Sequence, residues 1–311
     1  MKTLISILIF CIVLFIYLHI NFHLRTSNDL EVYEIDQPSK EKLEEICDLR
    51  QPVIFDYNVD GLLQECNIDS IEKNYGAFDI KVRNVKEYDD VCELYLPLTL
   101  NTGREIFRKD KEEKYLSENN QEFLEETSLI KHMRYNDNFL RPYSVSNCIY
   151  DFQFSSNNTK TILKYELNYR NFILVTQGSI KIKLIPPKSS RYLYTIKDYD
   201  NFEFLSPVNP WDVQSQFKAD FDKLKTLEVT LKKGQIIFIP AYWWYSIWFQ
   251  ENTSLVSFKY KTYMNNIAIS NHLLVNMLQN QNVKREIAKK KNIQQEVTED
   301  SNSNSDDKIS S

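Results

Sequence analysis

Histidine is nearly absent from this chain: among 311 residues there are four, His19, His23, His132 and His272. The first two border an apolar N-terminal run, and neither His132 nor His272 has a carboxylate two positions on. A metal centre built from two imidazoles and a carboxylate has almost nothing to draw on. Cysteine is sparse too. Cys11, Cys47, Cys66, Cys92 and Cys148 show no C-x-x-C spacing, which argues against a zinc site and leaves buried thiols, or a disulfide in a lumenal domain. Glycine is scarce while Asn, Lys, Ile and Tyr abound, a bias of AT-rich coding that says little about function. The net charge is -5 and no basic, aromatic-interleaved patch occurs in the body of the chain, so nucleic acid is not expected as the main partner.

What is present begins with Leu4–Ile20, an unbroken apolar run after Lys2. Its length matches a bilayer's hydrocarbon core, which takes about 20 residues of helix. A cleaved signal peptide is the competing reading, but Leu18–Leu24 offers no small-residue cleavage pattern. The expectation is an uncleaved single-pass N-terminal anchor holding the protein to a membrane. Asn157-Asn158-Thr159 and Asn252-Thr253-Ser254 fit the glycosylation pattern, a match that an Asn-rich chain makes by chance.

The length suits one large β domain with helical decoration, or two small domains. Residues 25–38 are polar and read as a linker. Ser39 is placed to cap a helix over Ser39–Leu49, and Gln51–Asp56 follows as a strand. Ile68–Tyr75 is a short helix closed by Gly76, and Phe78, Ile80 and Val82 alternate with charged residues as in a half-solvated strand. Lys109–Glu126 is highly charged and reads as an insertion or a solvated surface helix. From Cys148 the pattern turns to β, with strands expected at Cys148–Phe154, Asn171–Thr176, Ser179–Ile185, Thr226–Leu231, Gln235–Ile239, Trp243–Phe249 and Ser254–Tyr260. Short strands without intervening helices indicate an antiparallel sandwich or barrel. Pro186–Lys225 reads as a loop over one mouth of that barrel, Asn265–Leu278 as a helix, and the chain from Asn280 as a disordered tail.

The organising stretch is Lys233–Trp248, KGQIIFIPAYWWYSIW: glycine turn, apolar strand, Pro240, then an aromatic cluster. Alone it is a packed aromatic corner. Its order resembles the last metal-ligand motif of the JmjC-type and asparaginyl-hydroxylase-type 2-oxoglutarate oxygenases. Thr161–Glu166, TILKYE, resembles their T-P-L-H-x-D block, and Asn171–Pro187, NFILVTQGSIKIKLIPP, the strand, glycine turn and double proline that follow. Ser215–Asp222 and the helix-then-strand opening add to the likeness, which covers about Pro52–Tyr260. It implies a mainly β fold with flanking helices, a double-stranded β-helix of the cupin or jelly-roll kind behind a transmembrane helix. The organisation expected is 1–24 anchor, 25–38 linker, 39–264 JmjC/cupin-like domain, 265–279 C-terminal helix and 280–311 tail.

In that family two imidazoles and a carboxylate hold Fe(II). By the same likeness Lys164 stands in the place of the first histidine, Glu166 in that of the acid and Tyr245 in that of the distal histidine. A protonated ammonium has no lone pair, and a neutral phenol is a poor ligand. The position of the lysine that pairs with 2-oxoglutarate is taken by Ile180. Thr161 is retained. Lys164 and Glu166, two apart, share a face if extended, so an internal pair of the two, joined by the Tyr245 hydroxyl, is expected where the metal charge lay. No catalytic residue, metal ligand or cofactor is expected; the degenerate pocket comprises Thr161, Lys164, Glu166, Ile180, Trp243, Trp244 and Tyr245. The leading expectation is a membrane-tethered, non-catalytic domain that binds or scaffolds, with Trp243, Trp244 and Trp248 lining a peptide groove or simply forming core. The alternatives are an active Fe(II)/2-oxoglutarate hydroxylase or demethylase that recruits His132 or His272 to Glu166, and a structural protein of a membrane-bound particle. The C-terminal helix is a candidate homodimer contact.

Overall fold

The structure, a computed structural model, describes residues 2–86 and 95–281. Cys92 and all but the first two residues of the expected tail lie outside them. The apolar run forms α1 (Lys2–Leu24), long and apolar enough to cross a membrane, with its apolar window outside the packed domain. Residues 25–38 differ from the expected linker. They carry β1 (Tyr33–Ile35), parallel to β2 (Val53–Asp56), and Gln51 Nε2 donates to Asp29 and Ser27 to tie the segment down.

Between these strands lies α2 (Lys40–Cys47), where Ser39 Oγ accepts the Lys42 amide as the sequence predicts. Next come α3 (Asp60–Glu65), α4 (Ile68–Tyr75), β3 (Asp79–Asn84), β4 (Leu96–Thr99), α5 (Leu100–Lys109), β5 (Tyr115–Ser117), α6 (Gln121–Glu126) and α7 (Ile130–Asn136). The β-rich half supplies β6 (Val145–Ser155), β7 (Leu163–Tyr165), β8 (Arg170–Gln177) and β9 (Ser179–Ile185). Pro186–Lys225 is not a plain loop. It holds a 3-10 turn, β10 (Ile196–Asp198), β11 (Glu203–Ser206) and α8 (Ser215–Phe221). Then follow β12 (Leu227–Lys232), β13 (Gln235–Phe238), β14 (Trp244–Phe249) and β15 (Ser254–Thr262). The expected C-terminal helix is broken into α9 (Tyr263–Ala268) and α10 (Ser270–Gln281), because Ile269 turns inward to pack with Leu167 and Phe204.

Among the described residues the strands make two sheets. The larger runs β1-β2-β13-β8-β15-β6-β5-β3-β4 and the smaller β10-β11-β7-β14-β9-β12. The chain crosses between them repeatedly, and two of the crossings turn on glycine. Gly178 (φ +72°) joins β8 to β9, and Gly234 (φ +85°) joins β12 to β13. A Cβ at Gly234 would lie 2.0 Å from Asn58 Oδ1, and one at Gly178 2.4 Å from Thr253 Oγ1. Positive φ and lack of space both demand glycine there. Repeated crossing between two facing, mostly antiparallel sheets is the jelly-roll arrangement expected.

Strand β8 shows why its sequence is continuously apolar. Phe172 and Leu174 pack outward against the helical layer with Leu62, Ile71 and Met133, while Ile173 and Val175 face Ile182, Leu184 and Ile247 of the other sheet. Both faces are buried, so no polar position alternates. Each fully buried aliphatic side chain contributes about 1.5–3 kcal/mol.

Candidate functional site

Three-residue β7 sits between β11 and β14, and Lys164 is the direct cross-strand partner of Tyr245. Opposite residues of an antiparallel pair share a face, so both side chains enter the space between the sheets, with Glu166 beside them. The three positions picked out in the sequence therefore come together.

Their pairing differs from expectation. Lys164 Nζ donates to Glu118 Oε2 at 2.8 Å, not to Glu166. Glu166 Oε1 accepts from Lys259 Nζ at 2.8 Å and from the Tyr245 hydroxyl at 3.2 Å. The network continues beyond Glu118. Arg83 bridges Glu118 at 3.0 Å and Glu203 at 3.2 Å, and the Tyr95 hydroxyl donates toward both carboxylates. Arg83 and Glu118 are each 3 % exposed, so these are buried ion pairs and not surface decoration.

Glu118 is held in place by local backbone chemistry. It follows β5 directly, and Asn119 then adopts φ +60°, a conformation that Asn tolerates better than most residues. The Asp151 carboxylate accepts the amides of Asn119 and Asn120 at 3.0 and 2.7 Å. Asn120 Nδ2 donates to Ser117 Oγ and to the Phe152 carbonyl. The charged segment expected to be a solvated face thus turns one of its carboxylates inward.

Burial alone would push the Glu118 carboxyl up, but the Lys164 ammonium and the Arg83 guanidinium hold it well below the usual carboxylate range. Burial also opposes the charged form of Glu166, and Lys259 with Lys164 outweighs it, so that carboxyl too lies low. For Lys164 and Lys259 desolvation works against the ammonium, yet Glu118 and Glu166 respectively raise both above their ordinary values. Burial, and then the Glu166 charge, push the Tyr245 phenol up. The site is a chain of ion pairs around phenols, in which burial raises the Glu203 carboxyl while Glu118 and Glu166 are held low.

Such a set does not fit a divalent iron. Lys164 offers no lone pair, Tyr245 is held protonated, and Glu166 already accepts from an ammonium and a hydroxyl. Among the described residues no group of three His, Cys, Asp or Glu side chains is arranged to hold a metal ion. Neither histidine considered for Glu166 reaches it. His132 is exposed on α7, and His272 Nδ1 is bound to the Tyr199 hydroxyl at 2.9 Å. Ile180 lies in the apolar layer between the sheets. Thr161 is structural: its Oγ1 accepts the Ile247 amide and its carbonyl accepts Ser246 Oγ, fastening the entry to β7 onto β14.

The tryptophans divide. Trp243 and Trp244 are fully buried, with their indole N–H groups on the Arg50 carbonyl and Ser190 Oγ. They are core and line no groove. Trp248 is half-buried on the outer face of the smaller sheet, flanked by Lys160, Lys181 and Trp211. A cavity of about 190 Å³ opens instead beside the ion pairs, lined by Lys164, Glu166, Phe202, Glu203, Lys259 and Lys261 among others. Of its charged residues only Lys164 and Glu166 were picked out from the sequence. Lys259 and Lys261 carried a legible signal: two lysines on one face of a largely buried strand.

Comparison with known proteins agrees with this architecture. The model of the family described as "Cupin-like domain" matches residues 38–267. Lysine-specific demethylase JMJ31 of Arabidopsis thaliana is 25% identical over 186 residues, 58% of this chain and 31% of that protein. HSPB1-associated protein 1 of Mus musculus is 28% identical over 78 residues, 25% of this chain. The aligned part thus spans 16% of the mouse protein's length. With its crossing sheets and a family match over most of its length, the chain belongs to the cupin-like domain family.

Proposed function

We propose that this protein is a membrane-tethered, non-catalytic cupin-like domain that works by binding, with internal ion pairs standing where relatives hold a metal. The observation that carries it is the Lys164–Glu118 pair, a bidirectionally satisfied charge at the position of the first histidine, with Glu166 engaged by Lys259. A buried ion pair is near neutral for stability when complete and costly when broken. It keeps the old pocket polar and shaped without an ion. Tethering rests on α1, whose length and composition suit a bilayer. Protein partnership is supported by a relative whose name records an association with another protein.

The test is turnover. Full-length protein in detergent is supplied with Fe(II), ascorbate, 2-oxoglutarate and a broad panel of lysine- and asparagine-containing peptides, and succinate is measured. The proposal expects release at the no-enzyme background. Peptide-dependent succinate abolished by Glu166→Gln would establish an oxygenase with unusual ligands.

A further inference from the structure

Helix α10 is attached to the domain by one side only. Leu273 packs against Leu167 and Phe204, His272 Nδ1 meets the Tyr199 hydroxyl, and Asn276 Nδ2 donates to the Tyr199 carbonyl. The opposite side carries Leu274, Val275, Met277 and Leu278, all exposed, with Leu274 at 52 % and Leu278 at 51 %. A surface helix normally turns charged residues outward, yet Ser270–Gln281 contains no Asp, Glu, Lys or Arg. Single exposed leucines need no explanation, but a contiguous apolar face marks an interaction surface.

The surroundings identify what covers it. Helix α9 lies along the end of α1. Thr262, the residue that caps α9, meets His23 Nε2 at 3.2 Å, and Met264 shares a cavity with Leu18, His19 and Phe22. In the first turn of α10, His272 shares another cavity with Leu24 and Thr26, where α1 ends. Both short helices therefore start at the level where the apolar helix enters the domain. Tyr143, beside α1, and Tyr263, opening α9, are exposed there, and tyrosine is enriched at the headgroup level of a bilayer. Exposed Ile267 of α9 adds to the apolar surface. Directly after α10 the sequence supplies Lys284, Arg285, Lys289, Lys290 and Lys291 against Glu286 alone. An apolar helix face joined to a basic cluster is the composition that holds anionic lipid.

We propose that α10 lies on the membrane surface as a second contact, with Leu274, Met277 and Leu278 set among the headgroups and upper acyl chains of anionic lipid. The proposal rests on α1 being the anchor and names the lipid chemistry of that same tether. An anchor alone leaves the domain free to swivel about the end of α1. A second contact beside it fixes which face of the domain looks away from the bilayer.

The experiment places full-length protein, one chain per disc, in lipid nanodiscs of phosphatidylcholine alone or with about 30 % phosphatidylserine. Hydrogen peroxide oxidation of exposed Met277 is followed by mass spectrometry, with Met133, fully buried in the core, as the internal control. In mixed discs Met277 is expected to oxidise at least about fivefold more slowly than in Leu274→Glu/Leu278→Glu. Either Lys289→Gln/Lys290→Gln/Lys291→Gln or about 1 M sodium chloride should abolish the advantage of mixed over neutral discs. Circular dichroism and an unchanged Met133 rate establish that both variants are folded. The proposal is overturned if Met277 oxidises equally fast in the parent chain and in Leu274→Glu/Leu278→Glu, or if neutral and mixed discs protect it equally. It is also overturned if protection occurs only in discs holding two chains, which would make the occupant a second copy. Release of the full chain by alkaline carbonate would instead overturn the reading of α1 as an anchor, so the two failures are distinct.

Discussion

The Lys164 ammonium and the Glu118 carboxylate meet at 2.8 Å between the two sheets, joining β7 of one to the end of β5 in the other. Each has a further electrostatic neighbour. Glu118 also accepts from Arg83, and Lys164 lies within the field of Glu166 and Glu203. The two deletions are therefore unequal.

Glu118→Gln leaves Lys164 without its acceptor and takes one of two carboxylates from Arg83. It should lower unfolding free energy by about 3–5 kcal/mol. Lys164→Met leaves Glu118 bound to Arg83 and should cost less. Combining the two should recover part of the loss, as coupled neighbours do. Urea denaturation of the three variants measures all of this; equal, additive losses would show that the pair is not coupled.

Stability should fall sharply in acid. The Glu118 and Glu166 carboxyls lie below their unfolded value of about 4.3. Their contribution is present above that pH and is lost as pH falls through the lower folded values. Glu203 is raised by burial, so its share has the opposite sign and is lost as pH rises through its folded value. Lys164 and Lys259 are raised; their contribution is full below about 10.4 and disappears as pH climbs through the folded values. Urea midpoints should drop below about pH 4 and again above about pH 10.4, and Glu118→Gln should flatten the acid limb.

Replacing the tryptophans should separate core from surface. Trp243→Ala empties a fully buried site and should cost about 3–5 kcal/mol. Trp248→Ala removes a half-buried ring held by Lys160 and Lys181 and should cost about 1–2 kcal/mol. Thermal denaturation checks the order, which a peptide groove lined by Trp243 would not produce.

The strands from Cys148 onward were legible because apolar periodicity and glycine corners are local signals, and β6, β8, β9 and β12–β15 lie within a few residues of expectation. The co-location of Lys164, Glu166 and Tyr245 was legible from motif order. The partners were not. Glu118 sits in a run whose other charges are mostly solvated; the turn at Asn119, fastened to Asp151, and the cations Arg83 and Lys164 from distant strands turn it inward. Glu203 and β11 lie in a segment that reads as loop because three- and four-residue strands carry too little pattern. The break at Ile269 follows from a tertiary contact with Leu167 and Phe204, which no helical periodicity announces.

The N-terminal helix should govern partitioning. The full chain should stay with membranes through alkaline carbonate, while a chain lacking residues 1–24 should be soluble. His23 bonds Thr262 and stacks near Tyr169, so the shortened form should also lose about 1 kcal/mol. Release of the full chain by carbonate would contradict an inserted anchor.

The central claim is that protein charge replaces metal charge. The most direct measurement is elemental analysis of the full-length protein purified without chelator, followed by calorimetric titration with Mn(II) in the presence of 2-oxoglutarate. The account predicts metal far below one ion per chain and no saturable heat. One tightly held ion per chain, lost on mutating Glu166, would contradict it.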